Sequence, residues 1–151
     1  MTDDEKQNAI DVLNRILELE LAGVVRYTHY SLMIFGYNRI PIVSWLKGNA
    51  DESLAHAYKA GELVTLLGGH PSLKIGALLE THKHDIGDIL RESLEQERTT
   101  LDAYYELFGL VEGKSVLLEE YTREMIKLEE MHRDEVNKML RKPGDIKPFE
   151  E

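Results

Sequence analysis

The sequence predicts an all-α fold, a four-helix bundle in which one long crossover joins the second helix to the third. Three observations lead there. Ala, Glu, Lys, Leu and Arg make up nearly half of the 151 residues, the composition of chains built from long helices. Only four prolines are present, Pro41, Pro71, Pro143 and Pro148, so helices elsewhere can run unbroken. Apolar residues recur every three or four positions through four segments, the period of a helix with one buried face.

The first helix starts after Thr2 or Asp3, both good N-caps, with acidic residues in its opening turn, and runs to near Gly36. Its stripe reads Ile10, Leu13, Leu17, Glu20, Val24, Tyr27, Ser31, Ile34. The second carries Pro41 in its first turn, where a missing N–H is tolerated, and runs to Leu67 before the stop Gly68-Gly69-His70-Pro71. Its stripe includes Leu46, Asn49, Ser53, His56, Ala60, Leu63 and Leu67. The third spans Asp85 to Glu112 with the stripe Ile86, Leu90, Leu94, Glu97, Leu101, Tyr104, Phe108, and ends at Gly113. The fourth runs from Ser115 to Leu140 with Leu118, Thr122, Met125, Glu129, His132, Val136 and Met139, and stops before Lys142-Pro143-Gly144. The bundle thus takes residues 1–142, and 143–151 form a short tail.

Helices of roughly 27 to 33 residues are ~40 to 50 Å long. Short links make the first pair and the last pair antiparallel hairpins. The stretch from Gly68 to His84, about 17 residues, can extend ~55 Å, a whole helix length. The second and third helices can therefore run parallel. A plain up-and-down bundle with a slack middle loop is the competing arrangement, and loops beyond ~12 to 15 residues usually have a geometric reason.

The formal net charge is -10 and there is no cysteine. The first fact disfavours phosphate backbones, so no nucleic-acid partner is expected, and it favours small cations. The second excludes disulfides, thiolate zinc sites and iron-sulfur clusters, and fits a reducing compartment, the cytoplasm. The acidic opening Met1-Thr2-Asp3-Asp4-Glu5 is unlike a signal peptide, and no apolar run reaches the ~18 residues of a membrane span.

Charged residues stand where apolar ones belong: Glu20, His56, Glu97, Glu129 and His132, each near the middle of its helix. An isolated one reads most simply as a surface residue or a satisfied core histidine. Several unpaired carboxylates in one core would cost several kcal/mol apiece, against a total stability of ~5 to 15 kcal/mol. On these stripes only His56 and His132 are basic, and they offset two charges at most. Two divalent metals would supply four, and carboxylate with imidazole suits iron or manganese. Tyr27 either packs or donates to a ligand; His29, His70, His82 and His84 read as surface residues, with His82-x-His84 a weak surface metal motif.

These residues resemble the ferritin superfamily and, within it, bacterioferritin, over roughly residues 5 to 142. The resemblance rests on Glu20, on Glu97 in Leu94-Glu95-Gln96-Glu97, on Glu129-Glu130-Met131-His132, on Tyr27 and on the Gly-Gly-His-Pro turn. It implies a ferritin-like bundle with a di-iron centre that oxidises Fe(II) with oxygen or peroxide, a ferroxidase, storing iron if a shell assembles. Manganese or zinc are alternative metals. Glu20 and Glu97 would be terminal ligands, His56 and His132 would hold one metal each, and Glu129 would bridge.

The sequence departs from the family in three places. Ser53 stands where the second-helix Glu belongs; Glu52, at i-4 from His56 and on the same face, is the substitute ligand. Leu54 replaces the haem-binding Met, so no haem is expected. The Pro-broken tail is too short for a fifth helix, which leaves a 24-subunit shell in doubt, though a homo-oligomer, dimer or larger, is expected. The rival readings are a rubrerythrin-like dimeric peroxide reductase, needing an external electron donor, and a non-catalytic bundle with a degenerate site.

Overall fold

Residues 1–150, described by a computed structural model, form four helices: α1 (Asp3–Leu32), α2 (Arg39–Leu66), α3 (Ile86–Val111) and α4 (Val116–Leu140). Among the described residues there is no strand. At the start of α1, Thr2 Oγ1 accepts from the Glu5 N–H (3.1 Å) while the Glu5 carboxylate accepts from the Thr2 N–H (2.8 Å). Two otherwise orphaned donors are satisfied reciprocally. The helix ends at Leu32, short of Gly36, because Met33 leaves helical geometry (φ -104°, ψ 4°) and Gly36, at φ +96°, turns the chain toward α2. In α2 the first turn contains Pro41, as expected.

Contacts along α1 fix the topology. Gly61 of α2 faces Leu17, and Ser53 faces Gly23, so α2 runs antiparallel to α1. The crossover then climbs α1: the Ser72 N–H donates to Asn14 Oδ1 (2.8 Å), the Gly76 N–H to the Glu18 carbonyl (2.8 Å), and Glu80 meets His29 (3.0 Å). From there α3 descends, with Tyr30 donating to Glu92 (2.5 Å), Tyr27 to Glu97 (2.7 Å) and Tyr104 to Glu20 (3.0 Å). Both α2 and α3 oppose α1, so they run parallel, and the slack-loop alternative is excluded. A Cβ at Gly76 would lie 3.3 Å from the Glu18 carbonyl oxygen and the Leu19 Cα. Gly76→Ala is therefore expected to destabilise by about 1–3 kcal/mol, read by thermal unfolding, because backbone cannot yield as a side-chain tip can.

Two apolar layers sandwich a polar midsection. Leu13, Ile16, Val64, Leu107, Leu118 and Met125 form one layer; Tyr27, Tyr30, Ile34, Leu46 and Ile89 form the other, with Leu90, Leu94 and Val136 beside it. The buried face of α1 is wider than its stripe: Val24 is only partly covered, whereas Gly23, Arg26 and Tyr30 are buried. Residues 141–150 form no helix. Instead Asn137 clasps Phe149 through both of its backbone groups (2.9 and 3.0 Å), and the ring joins the Leu90–Leu94–Val136 cluster. Among the described residues no helix is long and apolar enough to cross a membrane.

Candidate metal centre

Mid-bundle, one side chain from each of three helices converges. Glu20 of α1, His56 of α2 and Glu129 of α4 are all buried, and they present ligand atoms within 4.8 Å of one another. His56 Nδ1 lies 3.7 Å from Glu20 Oε1 and 3.6 Å from Glu129 Oε1. Tyr104 donates to Glu20 Oε1. Glu129 Oε2 is shielded from water and has no hydrogen-bond partner, as has the Asn49 Nδ2 nearby. A cavity of about 10 Å³, room for one water or ion, is lined by Tyr27, Asn49, Glu52, Ser53, His56, Glu97, Glu129 and His132.

The second half of the centre is already occupied by protein. Glu97 Oε1 accepts from Arg26 Nη2 (2.9 Å) and from the Tyr27 hydroxyl (2.7 Å). The Arg26 guanidinium lies 4.4 Å from the centre of the Tyr27 ring and also donates to Ser93. Since Tyr27 gives its one proton to Glu97, it accepts from the Nε2–H of His132 (2.9 Å), leaving Nδ1 as the imidazole nitrogen with a free lone pair. Trp45 stacks on that ring (6.0 Å, 13° between planes) and holds its orientation. Tyr27 thus does more than pack.

Glu52 is placed differently. Its side chain is 49% exposed, and its Oε1 lies 3.6 Å from His56 Nε2, the nitrogen opposite the one facing Glu20 and Glu129. Ser53 does face inward, at the position the missing helix-2 Glu would take, but it packs where Gly23 lets α1 and α2 approach closely: a Cβ on Gly23 would meet its Oγ at 2.9 Å. Leu54 is exposed.

Electrostatics divides the carboxylates. Burial pushes the Glu129 carboxyl well up, and Glu97 and Glu20 push it further. Glu20 is also raised by burial, although His56 pulls it back. Burial acts on Glu97 in the same sense, but the Arg26 charge and a hydrogen bond with the protonated Glu129 carboxyl prevail, helped by His132 and the Tyr27 hydroxyl, and bring it down to about 2. His56 is raised, Glu20 and Glu52 outweighing its burial. Without a metal, the Glu20–His56–Glu129 side is therefore shifted toward its protonated forms, and Glu97 is held ionised against Arg26.

Sequence reasoning missed two of these residues. Arg26 adds a third basic group to the core, so His56 and His132 are not its only internal cations. Glu92, buried in α3, anchors the crossover by accepting from Tyr30, the Thr81 N–H (3.0 Å) and the Thr81 hydroxyl (2.8 Å). Arg26 adjoins Tyr27 and could have been found as a charge on the broad buried face of α1. Glu92 follows α3's stripe residue Leu90 by two positions and gave no signal. His29 and His84, read from the sequence as surface residues, both meet Glu80.

Residues 10–144 match the ferritin-like domain family. A comparison with curated proteins finds no sequence match. Among solved structures, a ferritin-like diiron-carboxylate protein of Bacillus anthracis superposes with a TM-score of 0.86 at 20% identity, covering 93% of this chain and 100% of the other. Desulfovibrio desulfuricans bacterioferritin, described with its diiron site in different catalytic states, gives 0.79 at 24% over 91% and 81%. A dodecameric thioferritin of Bacteroides fragilis gives 0.79 at 21% over 89% and 85%. At these identities the likeness establishes the fold.

Proposed function

The chain belongs to the ferritin-like family, and from that premise we propose that its midsection takes up Fe(II) as substrate and promotes its oxidation to Fe(III). The observation carrying this reading is the Glu20–His56–Glu129 cluster with its orphaned Glu129 oxygen. Two carboxylates and an imidazole, water-shielded and short of one cation, form a donor set that fits iron or manganese and also accepts zinc. His56 Nδ1 and the two carboxylates would hold the first ion, with Glu52 drawing on the opposite N–H of His56 as outer carboxylates do for ligating imidazoles. Glu97 and His132 Nδ1 would hold a second. Because Glu97 must exchange Arg26 for that ion, the second binds more weakly than the first. Two Fe(II) ions together give two electrons; with two protons from solvent these convert dioxygen to hydrogen peroxide, or peroxide to water. The apolar layers keep water from both ends of the site, and Glu52 at the rim attracts the incoming cation. The cytoplasm remains the proposed location. Storage of the product follows only where copies of this chain close into a shell, which solution mass decides.

Adding Fe(II) to the metal-free protein in aerated buffer should consume oxygen faster than buffer alone, and anaerobic Fe(II) titration should show a tight step followed by a weaker one. Oxidation at the no-protein rate identifies a degenerate centre instead. Metal uptake must also expel protons from Glu129, Glu20 and His56, since all three are shifted toward their protonated forms. Calorimetry in buffers of different ionisation enthalpy should accordingly report net proton release that grows as the pH is lowered; equal heats in all buffers would contradict a site shifted toward its protonated forms.

A further inference from the structure

A second set of metal-ligating side chains lies at the far end of the crossover, outside the bundle core. His29 of α1 and Glu80 and His84 of the crossover bring ligand atoms within 4.8 Å of one another. His29 Nε2 is 3.0 Å from Glu80 Oε2, and His84 Nε2 is 3.6 Å from Glu80 Oε1. The two rings meet edge to face with centroids 5.8 Å apart, so both Nε2 atoms converge on one carboxylate. In a tetrahedral zinc site with bonds of about 2.0–2.1 Å, neighbouring ligand atoms stand about 3.3 Å apart. The two imidazole nitrogens stand 3.0 and 3.6 Å from the two oxygens of the one carboxylate, so only a small closure is needed to bring one oxygen and both nitrogens to that spacing.

The hydrogen bonding is also incomplete. His84 Nε2 is shielded from water and has no hydrogen-bond partner, Glu80 Oε1 standing 3.6 Å away, beyond hydrogen-bond distance. Glu80 is held in place from behind by the His82 backbone N–H (2.5 Å), which with the neighbouring histidines keeps its carboxyl ionised. That N–H is delivered by an unusual conformation, with His82 at φ +58°. His82 supplies its backbone to the cluster, and the imidazole that meets His84 is that of His29 from α1.

We propose that His29, Glu80 and His84 form a surface site for a borderline divalent cation of the zinc class, with water as the fourth ligand, which staples the end of the crossover to α1. Imidazole-rich, cysteine-free sites of this kind favour zinc, copper or nickel over magnesium and calcium. The ion would replace the missing partner of His84 and link residue 29 to residues 80 and 84. It would therefore rigidify the segment leading into α3 without touching the core centre, and the proposal does not depend on Fe(II) oxidation.

The test is Zn²⁺ titration of the full-length protein followed by calorimetry and metal counting. Two variants are compared with the wild type, His29→Asn/His84→Asn and His82→Asn, chosen because asparagine keeps polarity, tolerates the positive φ of residue 82 and removes the ligating Nε2. The first should bind one Zn²⁺ fewer per chain, or bind that ion at least tenfold more weakly, and the second should match the wild type. In parallel, Zn²⁺ should slow hydrogen exchange at residues 79–84 in the wild type and not in the double variant, while the anaerobic Fe(II) isotherm stays unchanged. Equal Zn²⁺ stoichiometry and affinity in wild type and double variant would overturn the proposal, as would loss of the ion on substituting His82.

Discussion

Substituting Glu129 by methionine is expected to stabilise the metal-free protein by about 1–3 kcal/mol, the penalty of a buried unsatisfied polar group, and to abolish accelerated Fe(II) oxidation. Glu129 is 5% exposed, and when its carboxyl is ionised, and so cannot donate to Glu97, one of its oxygens has no hydrogen bond. Its carboxyl is raised by burial, then by Glu97 and Glu20. A carboxyl raised in the folded state favours folding below its unfolded value, near 4.5, and that advantage is lost as pH rises through the folded value. The gain on substitution is therefore largest at neutral and alkaline pH and shrinks toward pH 4.5. Methionine fills the space with an unbranched apolar chain and leaves nothing unpaired. Denaturant unfolding in chelator at pH 5 and pH 8, paired with oxygen consumption, checks both halves. A variant less stable than wild type at pH 8 would mean that the carboxylate is satisfied within the protein; undiminished oxidation would place the reaction elsewhere.

The opposite signs expected for stability and activity explain why the site was so legible in the sequence. Glu20, Glu97 and Glu129 break apolar stripes at mid-helix, where nothing local favours a charge, and the structure buries all three. Helix ends were legible for a similar reason: capping by Thr2, the stop at Gly68 and the position of Pro41 are decided within a few residues. The long crossover followed from chain length alone. What periodicity could not supply was side-chain reach. Arg26 lies outside the α1 stripe, yet its long side chain enters the core and lies over the Tyr27 ring. Nor could spacing show which nitrogen of His56 Glu52 would address: it lies against Nε2, opposite the one facing Glu20 and Glu129. The His29–Glu80–His84 grouping joins a helix to an irregular segment, where no period exists to read.

Arg26 is the residue whose removal should disturb this balance most. Breaking a buried ion pair by removing one partner costs about 3–5 kcal/mol, because the other charge is left uncompensated. Both members here are nearly inaccessible, at 4% and 7% side-chain exposure. Arg26→Met should therefore lower the stability of the metal-free protein by about that amount at neutral pH. The sign reverses that of Glu129. Glu97 is held down to about 2 in the folded state, so its stabilisation is present above about pH 4.5 and is lost as pH falls toward 2. The deficit of the variant should accordingly narrow on acidification over that range. A bound cation can take over the work of the guanidinium, so anaerobic Fe(II) should recover more stability in the variant than in the wild type. Freed from Arg26, Glu97 should also accept the second ion more readily, bringing the two steps of the Fe(II) isotherm closer together. Unfolding midpoints with and without Fe(II), read beside that isotherm, decide the matter: a variant as stable as wild type, or one that keeps the wild-type separation between the two steps, would show that Arg26 neither balances Glu97 nor competes for its metal.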